Sequence, residues 1–207
     1  PWAVINTCGY VRVDDAENEL ERCMRENTVG AATLAAACAQ HGIHLTTFSS
    51  DLVFDGSNER PYVESDPVAP LGVYGRSKAE AERVVLLNHP GALVVRTSAF
   101  FGPWDEHNFV TQALAALERG DPFVAAGDLT VSPTFVPDLV HACLDLAVDG
   151  EAGIWHLANQ GELTWAELAR RAAELAGIDA GSLESKAAEE FGFTAPRPRY
   201  CALASER

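Results

Sequence analysis

The sequence predicts an α/β fold, a mostly parallel sheet with helices on both faces. Short apolar, β-branched runs at 3–6, 43–48 and 92–96 alternate with longer stretches of helical period. Those runs carry few charges, as strands buried on both faces do. The length, 207 residues with 47% hydrophobic content, suits one domain, or one domain with a small lobe. The division expected is a main part over 1–152 and a smaller C-terminal lobe over 153–207, intermixed with parts of 100–135.

Residues 3–6 form a short buried-type strand, followed by the turn Thr7-Cys8-Gly9-Tyr10-Val11. The chain opens directly on this strand at Pro1, which predicts a domain cut from a longer polypeptide. The strand is then expected at a sheet edge, or paired with a second copy or an upstream domain. Residues 17–40 read as one long helix with Leu20, Cys23, Met24, Ala31, Leu34, Ala35 and Cys38 on its apolar stripe and Gly42 at its C-terminal end. Asn27 falls on that stripe; a buried Asn needs partners, as a structural bridge or as part of a site. The run 43–48 is the next strand, and 57–72 is a Pro-rich acidic loop. A helix follows from Tyr74 to the stop signal Asn88-His89-Pro90-Gly91. The strand 92–96 leads into Thr97-Ser98-Ala99. Asn108 opens a helix running to about Arg119, and 122–125 is a short strand. Pro137 suits the first turn of a helix with Leu139, Val140, Cys143, Leu144 and Ala147 inward. Residues 153–157 form a strand, and Thr164-Trp165-Ala166-Glu167 is a capping box for a helix ending at Gly177.

Composition excludes several roles. A net charge of −15 argues against nucleic acid and anionic membrane as partners. No apolar run approaches the roughly 18 residues of a membrane span, and no signal-peptide pattern is present. Five cysteines without a C-x-x-C pair read as reduced residues of a cytoplasmic protein. The six histidines have no metal-ligand spacing, so no metal is expected.

The chemistry concentrates between Ser50 and Lys78. The strand 43–48 delivers Ser50 to its carboxyl end, where ligand sites of open α/β sheets lie. Tyr74 and Lys78, four apart, share one helix face. A lysine ammonium there pulls a phenol's pKa down from about 10 toward the working range. With a serine hydroxyl from the strand end, the set suits protonation of a ketone while hydride arrives from a nicotinamide. The plainer reading of the spacing alone is a helix start and a solvated lysine.

The surrounding residues decide between these. Ser49-Ser50-Asp51-Leu52-Val53-Phe54-Asp55-Gly56, then Pro61-Tyr62-Val63-Glu64-Ser65-Asp66, Pro70-Leu71 and Tyr74-Gly75-Arg76-Ser77-Lys78 resemble the extended short-chain dehydrogenase/reductases, within them the dTDP-4-dehydrorhamnose reductases. Arg96-Thr97-Ser98, Pro133-Thr134-Phe135 with Asp138-Leu139, and the tail Arg197-Pro198-Arg199 extend the resemblance over nearly the whole chain. It implies a Rossmann-like fold lacking its first strands, NADP or NAD as cofactor, and a sugar-nucleotide substrate. Ser50, Tyr74 and Lys78 stand at the catalytic positions, with Asn27 supporting the proton relay. Gly9, Tyr10 and Val11, with Tyr74 and Lys78, would touch the cofactor. Ser50, Asp51, Ala99, Asn108 and Arg199 would touch the substrate, with Arg197 a second phosphate candidate and Asn108 also readable as a helix cap.

Two features depart from the family pattern. No G-x-x-G-x-x-G loop is present to hold a pyrophosphate, and the residue distinguishing NAD from NADP is not among those expected here. Leu52 and Ala99 replace two aromatic residues of the sugar pocket, which predicts weaker stacking and leaves the particular sugar open. A catalytically silent, nucleotide-binding regulatory or scaffold protein, as in the β subunit of methionine adenosyltransferase, is the alternative.

Overall fold

The computed structural model describes residues 1–207. The elements in chain order are β1 (Ala3–Asn6), α1 (Leu20–Met24), a π-helical turn (Arg25–Val29), α2 (Gly30–Gln40), β2 (His44–Phe48), α3 (Val73–Asn88), β3 (Leu93–Arg96) and β4 (Phe100–Phe101). There follow α4 (Phe109–Glu118), β5 (Phe123–Ala126), β6 (Thr130–Val131), β7 (Thr134–Phe135), α5 (Val136–Val148), β8 (Gly153–His156), β9 (Leu163–Thr164), α6 (Trp165–Ala176) and β10 (Leu183–Lys186).

The main sheet has the order β1-β2-β3-β8 and is parallel throughout. Its strands alternate their side chains between two helical layers, as the period of two requires. Leu45 and Val94 pack with Ala31, Ala35 and Cys38 of α2 and Ala81 and Val85 of α3. Leu93 and Val95 point the other way, onto Leu139 and Cys143 of α5. β1 stands at the sheet edge, as expected, with Ile5 exposed. No helix is long and apolar enough to cross a membrane.

Several expectations need correction. The helix read as starting at residue 17 begins at Leu20, after a 3-10 turn over Asp15–Glu17. Leu20 is exposed, and the following π turn shifts the helical phase so that Asn27 and Thr28 are both buried. The inward stripe of α5 is narrower than expected: Leu139, Cys143 and Ala147 are buried, whereas Val140 and Leu144 are exposed. The boundary drawn at 152/153 would separate a strand from its own sheet, because β8 pairs with β3. Outside the main sheet lie three two-stranded pairs, β5 with β10, β4 with β7 and β6 with β9. β10 escapes sequence reading because Leu183-Glu184-Ser185-Lys186 shows no apolar run.

A buried ion pair holds the layers in register. Arg96, at the end of β3, donates to Glu82 of α3 from Nε at 2.8 Å and Nη2 at 2.7 Å, and the two side chains are only 2% and 5% exposed. Ser49, just past β2, donates to Glu82 Oε1 at 2.5 Å. Arg96 Nη1 approaches His156 Nε2 of β8 at 3.3 Å, and its guanidinium lies over the buried Phe54 ring, 5.0 Å from its centroid. The C-terminal tail is knitted onto this core, with Tyr62 N–H donating to Ala202 C=O and Ala204 N–H to Tyr62 C=O, each at 2.8 Å.

Removing one partner of a desolvated pair strands the other charge. Arg96→Met should therefore cost about 3–5 kcal/mol of stability by urea unfolding. A Glu82→Leu/Arg96→Met double variant should recover most of that loss, since the pair's own desolvation disappears with it.

Candidate active site

The site lies at the carboxyl ends of the parallel strands, where the topology places it. β2 ends at Phe48, and the chain turns through Ser49 and Ser50 into a short 3-10 turn over Asp51–Val53. Ser50 caps that turn, its Oγ accepting from Leu52 N–H at 3.1 Å. Helix α3 packs directly on it. A β-carbon at Gly75 would collide with the Leu52 carbonyl oxygen and lie 2.9 Å from Pro70 Cβ. The absence of a side chain there is what brings Tyr74, one residue earlier, beside Ser50. Ser50, Tyr74 and Lys78 line the same cleft.

A second anchor comes from the π turn. Asn27 Oδ1 accepts from Tyr10 N–H at 2.7 Å, and its Nδ2 donates to Tyr10 C=O at 3.2 Å and to Ser77 Oγ at 2.9 Å. Ser77 Oγ in turn donates to Tyr74 C=O at 2.7 Å, and Thr28 Oγ1 to Ser77 C=O at 2.9 Å. Asn27 therefore bridges the loop after β1 to α3. It makes no direct hydrogen bond to the Tyr74 phenol or to Lys78. A β-carbon at Gly9 would sit 2.6 Å from Asn27 Oδ1 and 3.7 Å from Lys78 Nζ. Only glycine leaves that hollow beside the lysine open.

Lys78 Nζ donates to Phe48 C=O at 3.1 Å and lies 5.8 Å from the centre of the Tyr74 ring. Burial lowers its pKa. The tyrosine does not respond as expected. Burial first, then the negative charge of Asp51, push the phenol above its ordinary value. The lysine ammonium does not overcome the desolvation.

The other expected residues divide. Val11 and Gly9 line the cleft beside Ser50, Tyr74 and Lys78. Tyr10 does not: its ring packs with Ala16, Cys23 and Val73, and its hydroxyl donates to Glu19 at 3.1 Å. Ala99 lines the cleft, with a left-handed φ of 40°. Asn108 is committed as a cap instead. Its Oδ1 accepts from Thr111 N–H at 3.0 Å, and its Nδ2 donates to Gly102 C=O, Asp105 C=O and Thr111 Oγ1. Arg199 is exposed and outside the cleft, whereas Arg197 lines it, pairing with Asp14 at 2.7 Å and keeping a buried Nη1 without a partner. Asp51 reaches the cleft wall, but both its carboxylate oxygens are taken by the Ser50 and Ser98 hydroxyls.

The cleft is large, about 980 Å³, and mainly apolar. Leu52 and Ala99 bring no rings to the cleft wall, yet the cleft is not short of them. Phe100, Phe109, Phe123, Trp165, Phe191 and Phe193 all line it, with the Phe109 ring 4.7 Å from Trp165 and 5.4 Å from Phe123. The sequence signal for these was a scatter of aromatics between 100 and 193, unconnected until the fold joins them.

A parallel sheet with serine, tyrosine and lysine gathered at its carboxyl edge is the arrangement of the extended short-chain dehydrogenase/reductases. The whole chain, residues 1–207, matches the family described as RmlD substrate binding domain. It is 38% identical to dTDP-4-dehydrorhamnose reductase of Mycolicibacterium smegmatis, over 99% of this chain and 63% of that protein. It is 32% identical to dTDP-4-keto-6-deoxy-D-glucose reductase of Streptomyces niveus, over 98% and 70%. The crystal structure of dTDP-4-dehydrorhamnose reductase from Bacillus anthracis in complex with NADP superposes with a TM-score of 0.94 at 31% identity, covering 99% of this chain and 72% of that one. The chain belongs to the RmlD, or dTDP-4-dehydrorhamnose reductase, family and spans about two thirds of the length of these relatives.

Gly75→Ala should force α3 away from the 51–53 turn. We expect a loss of about 1–3 kcal/mol in thermal unfolding, the usual range for overpacking.

Proposed function

We propose that the polypeptide carrying this chain reduces the ketone of a sugar nucleotide with NADPH or NADH, in the cytoplasm. The observation that carries the reading is the convergence of Ser50, Tyr74 and Lys78 on one cleft. The hollow at Gly9 beside Lys78 fits the nicotinamide ribose, because any side chain there would fill it. The bound cofactor supplies hydride to the ketone carbon and is oxidised in doing so. As the carbonyl pair moves onto oxygen, Tyr74 gives its phenolic proton to that oxygen, leaving an alcohol. A phenol kept protonated at neutral pH suits this direction of reaction. Lys78 stabilises the resulting phenolate and orients the ribose, and Ser50 lies where it can hold the reacting oxygen.

Arg197, which lines the cleft, is the residue we assign to a substrate phosphate. The elements outside the main sheet, including α4, α6, β5 and β10, are assigned to the substrate lobe. The relatives named above act on dTDP-linked keto sugars, which supports that substrate class. Leu52 and Ala99 favour a sugar other than the one that an aromatic-walled pocket selects.

General acid catalysis typically contributes about 10²- to 10⁴-fold. Tyr74→Phe in the full polypeptide should lower turnover by that factor with little change in cofactor affinity, measured as NADPH oxidation across a panel of dTDP-keto sugars. Lys78→Ala should damage both. Unchanged turnover in Tyr74→Phe would refute the mechanism. Tight cofactor binding without oxidation by any ketone would favour the silent regulatory reading.

The 207 residues alone hold the nicotinamide side of the cofactor but no glycine-rich phosphate loop. Calorimetric titration of this chain with NADPH and NADH should show binding weaker than micromolar.

A further inference from the structure

Asp51 is a buried carboxyl with no cation beside it. Its Oδ1 accepts from Ser50 Oγ at 2.9 Å and its Oδ2 from Ser98 Oγ at 2.5 Å, and it forms no ion pair. Its backbone is fixed as well: Asp51 N–H donates to Thr97 C=O at 3.1 Å and its carbonyl accepts from Phe54 N–H at 3.1 Å and Cys201 Sγ at 3.6 Å. A charge so placed costs folding free energy that an uncharged isostere would not. Such a group is a candidate for a functional role.

The hydrogen bonds point to that role. An ionised carboxylate only accepts. Two hydroxyls therefore donate to it, and one is the single proton of Ser50. Leu52 N–H already occupies one lone pair of the Ser50 oxygen. What remains on that oxygen is an acceptor, and a hydroxyl in that state cannot donate to a ketone oxygen. If Asp51 is protonated the polarity reverses. The carboxylic acid donates to Ser50 Oγ, and the Ser50 proton is released toward the cleft.

We propose that Asp51 is a positioning residue that sets the hydrogen-bond polarity of Ser50. Protonated Asp51 makes Ser50 a second donor, beside Tyr74, to the reacting oxygen; ionised Asp51 makes it an acceptor and removes that donor. The inference rests on the reductase reading above for its effect on turnover. Burial holds the carboxyl above its usual range, while the Ser98 and Ser50 hydroxyls and Leu52 N–H draw it partly back. The titratable groups that face it are Tyr74 from α3 and Cys201 from the C-terminal tail, both pushed up by burial and neutral over the working range.

The sign of the pH dependence follows. A carboxyl whose folded pKa is raised contributes stability below its unfolded pKa, lost as pH rises through the folded one. Asp51→Asn should match the wild type in acid and exceed it near neutrality, by a melting shift of about 2–4 °C. Turnover of the full polypeptide should fall as pH rises through the Asp51 titration. In Asp51→Asn, whose amide can donate to Ser50 and accept from Ser98, that limb should vanish with the cofactor KM unchanged. Ser98→Ala removes a donor to the ionised form, so it should move the limb and the carbon-13 resonance titration of the Asp51 carboxyl to higher pH together. A limb that survives in Asp51→Asn overturns the proposal. So does a carboxyl titration unmoved by both Ser98→Ala and Ser50→Ala, which needs no turnover to observe. If no ketone is reduced but the titration moves in both variants, the reductase reading fails and the Asp51–Ser50 coupling stands.

Discussion

The buried pair between Arg96 and Glu82 is the contact on which the geometry of the site depends. It joins β3 to α3, takes in Ser49 at the end of β2, and touches His156 of β8, so three of the four strands of the main sheet meet α3 there. Glu82 lies one helical turn beyond Lys78 and two beyond Tyr74, on the same face. Ser49 immediately precedes Ser50. The pair thus sets the height of the helix against the strand that carries its partner serine. Its net contribution to stability is modest, because both ions surrender their hydration; its contribution to register follows from the fixed bidentate geometry.

The other end of α3 is set by shape rather than charge. Gly75 lets the helix touch the 51–53 turn, and Asn27, exposed to α3 by the π turn, ties Ser77 to the loop after β1. One extra residue in a helical turn costs good hydrogen-bond geometry. In return Asn27 and Thr28 both face Ser77, which a regular helix would not allow for adjacent positions in the same way. The helix is therefore clamped from two sides, and Tyr74 sits between the clamps.

Much of this was legible in the sequence, for identifiable reasons. Buried parallel strands announce themselves as apolar runs, and β1, β2, β3 and β8 lie where such runs fall. The capping box at Thr164 and Glu167 is a local signal and is formed as read. The failures are of another kind. Glu82 and Arg96 look like ordinary charged residues until the fold buries both. Tyr10 and Val11 are neighbours in sequence, yet one enters the core and the other the cleft, because the loop leaves β1 in a conformation no periodicity describes. Arg197 and Arg199 differ by two residues in a tail without regular structure, so neither alternation nor helical period could say which faced inward. Asn108 could be read as cap or contact, and its four hydrogen bonds satisfy the amide as a cap.

The electrostatics of the cleft resolve an apparent conflict in the composition. A chain of net charge −15 repels an anionic ligand at long range, but that repulsion is screened beyond about 10 Å at ordinary ionic strength. Within the cleft the local surface dominates, and its walls are mostly apolar, with Lys78 and Arg197 the cations that line it. Asp14 offsets part of the Arg197 charge while fixing its guanidinium against the Phe193 ring, 4.8 Å away. The other terminal nitrogen of Arg197, Nη1, is buried without a hydrogen-bond partner. Apolar surroundings strengthen the Arg197–Asp14 pair, because less water competes for it. The net charge thus acts at long range, and the electrostatics of the cleft itself are carried by few polar atoms set among rings.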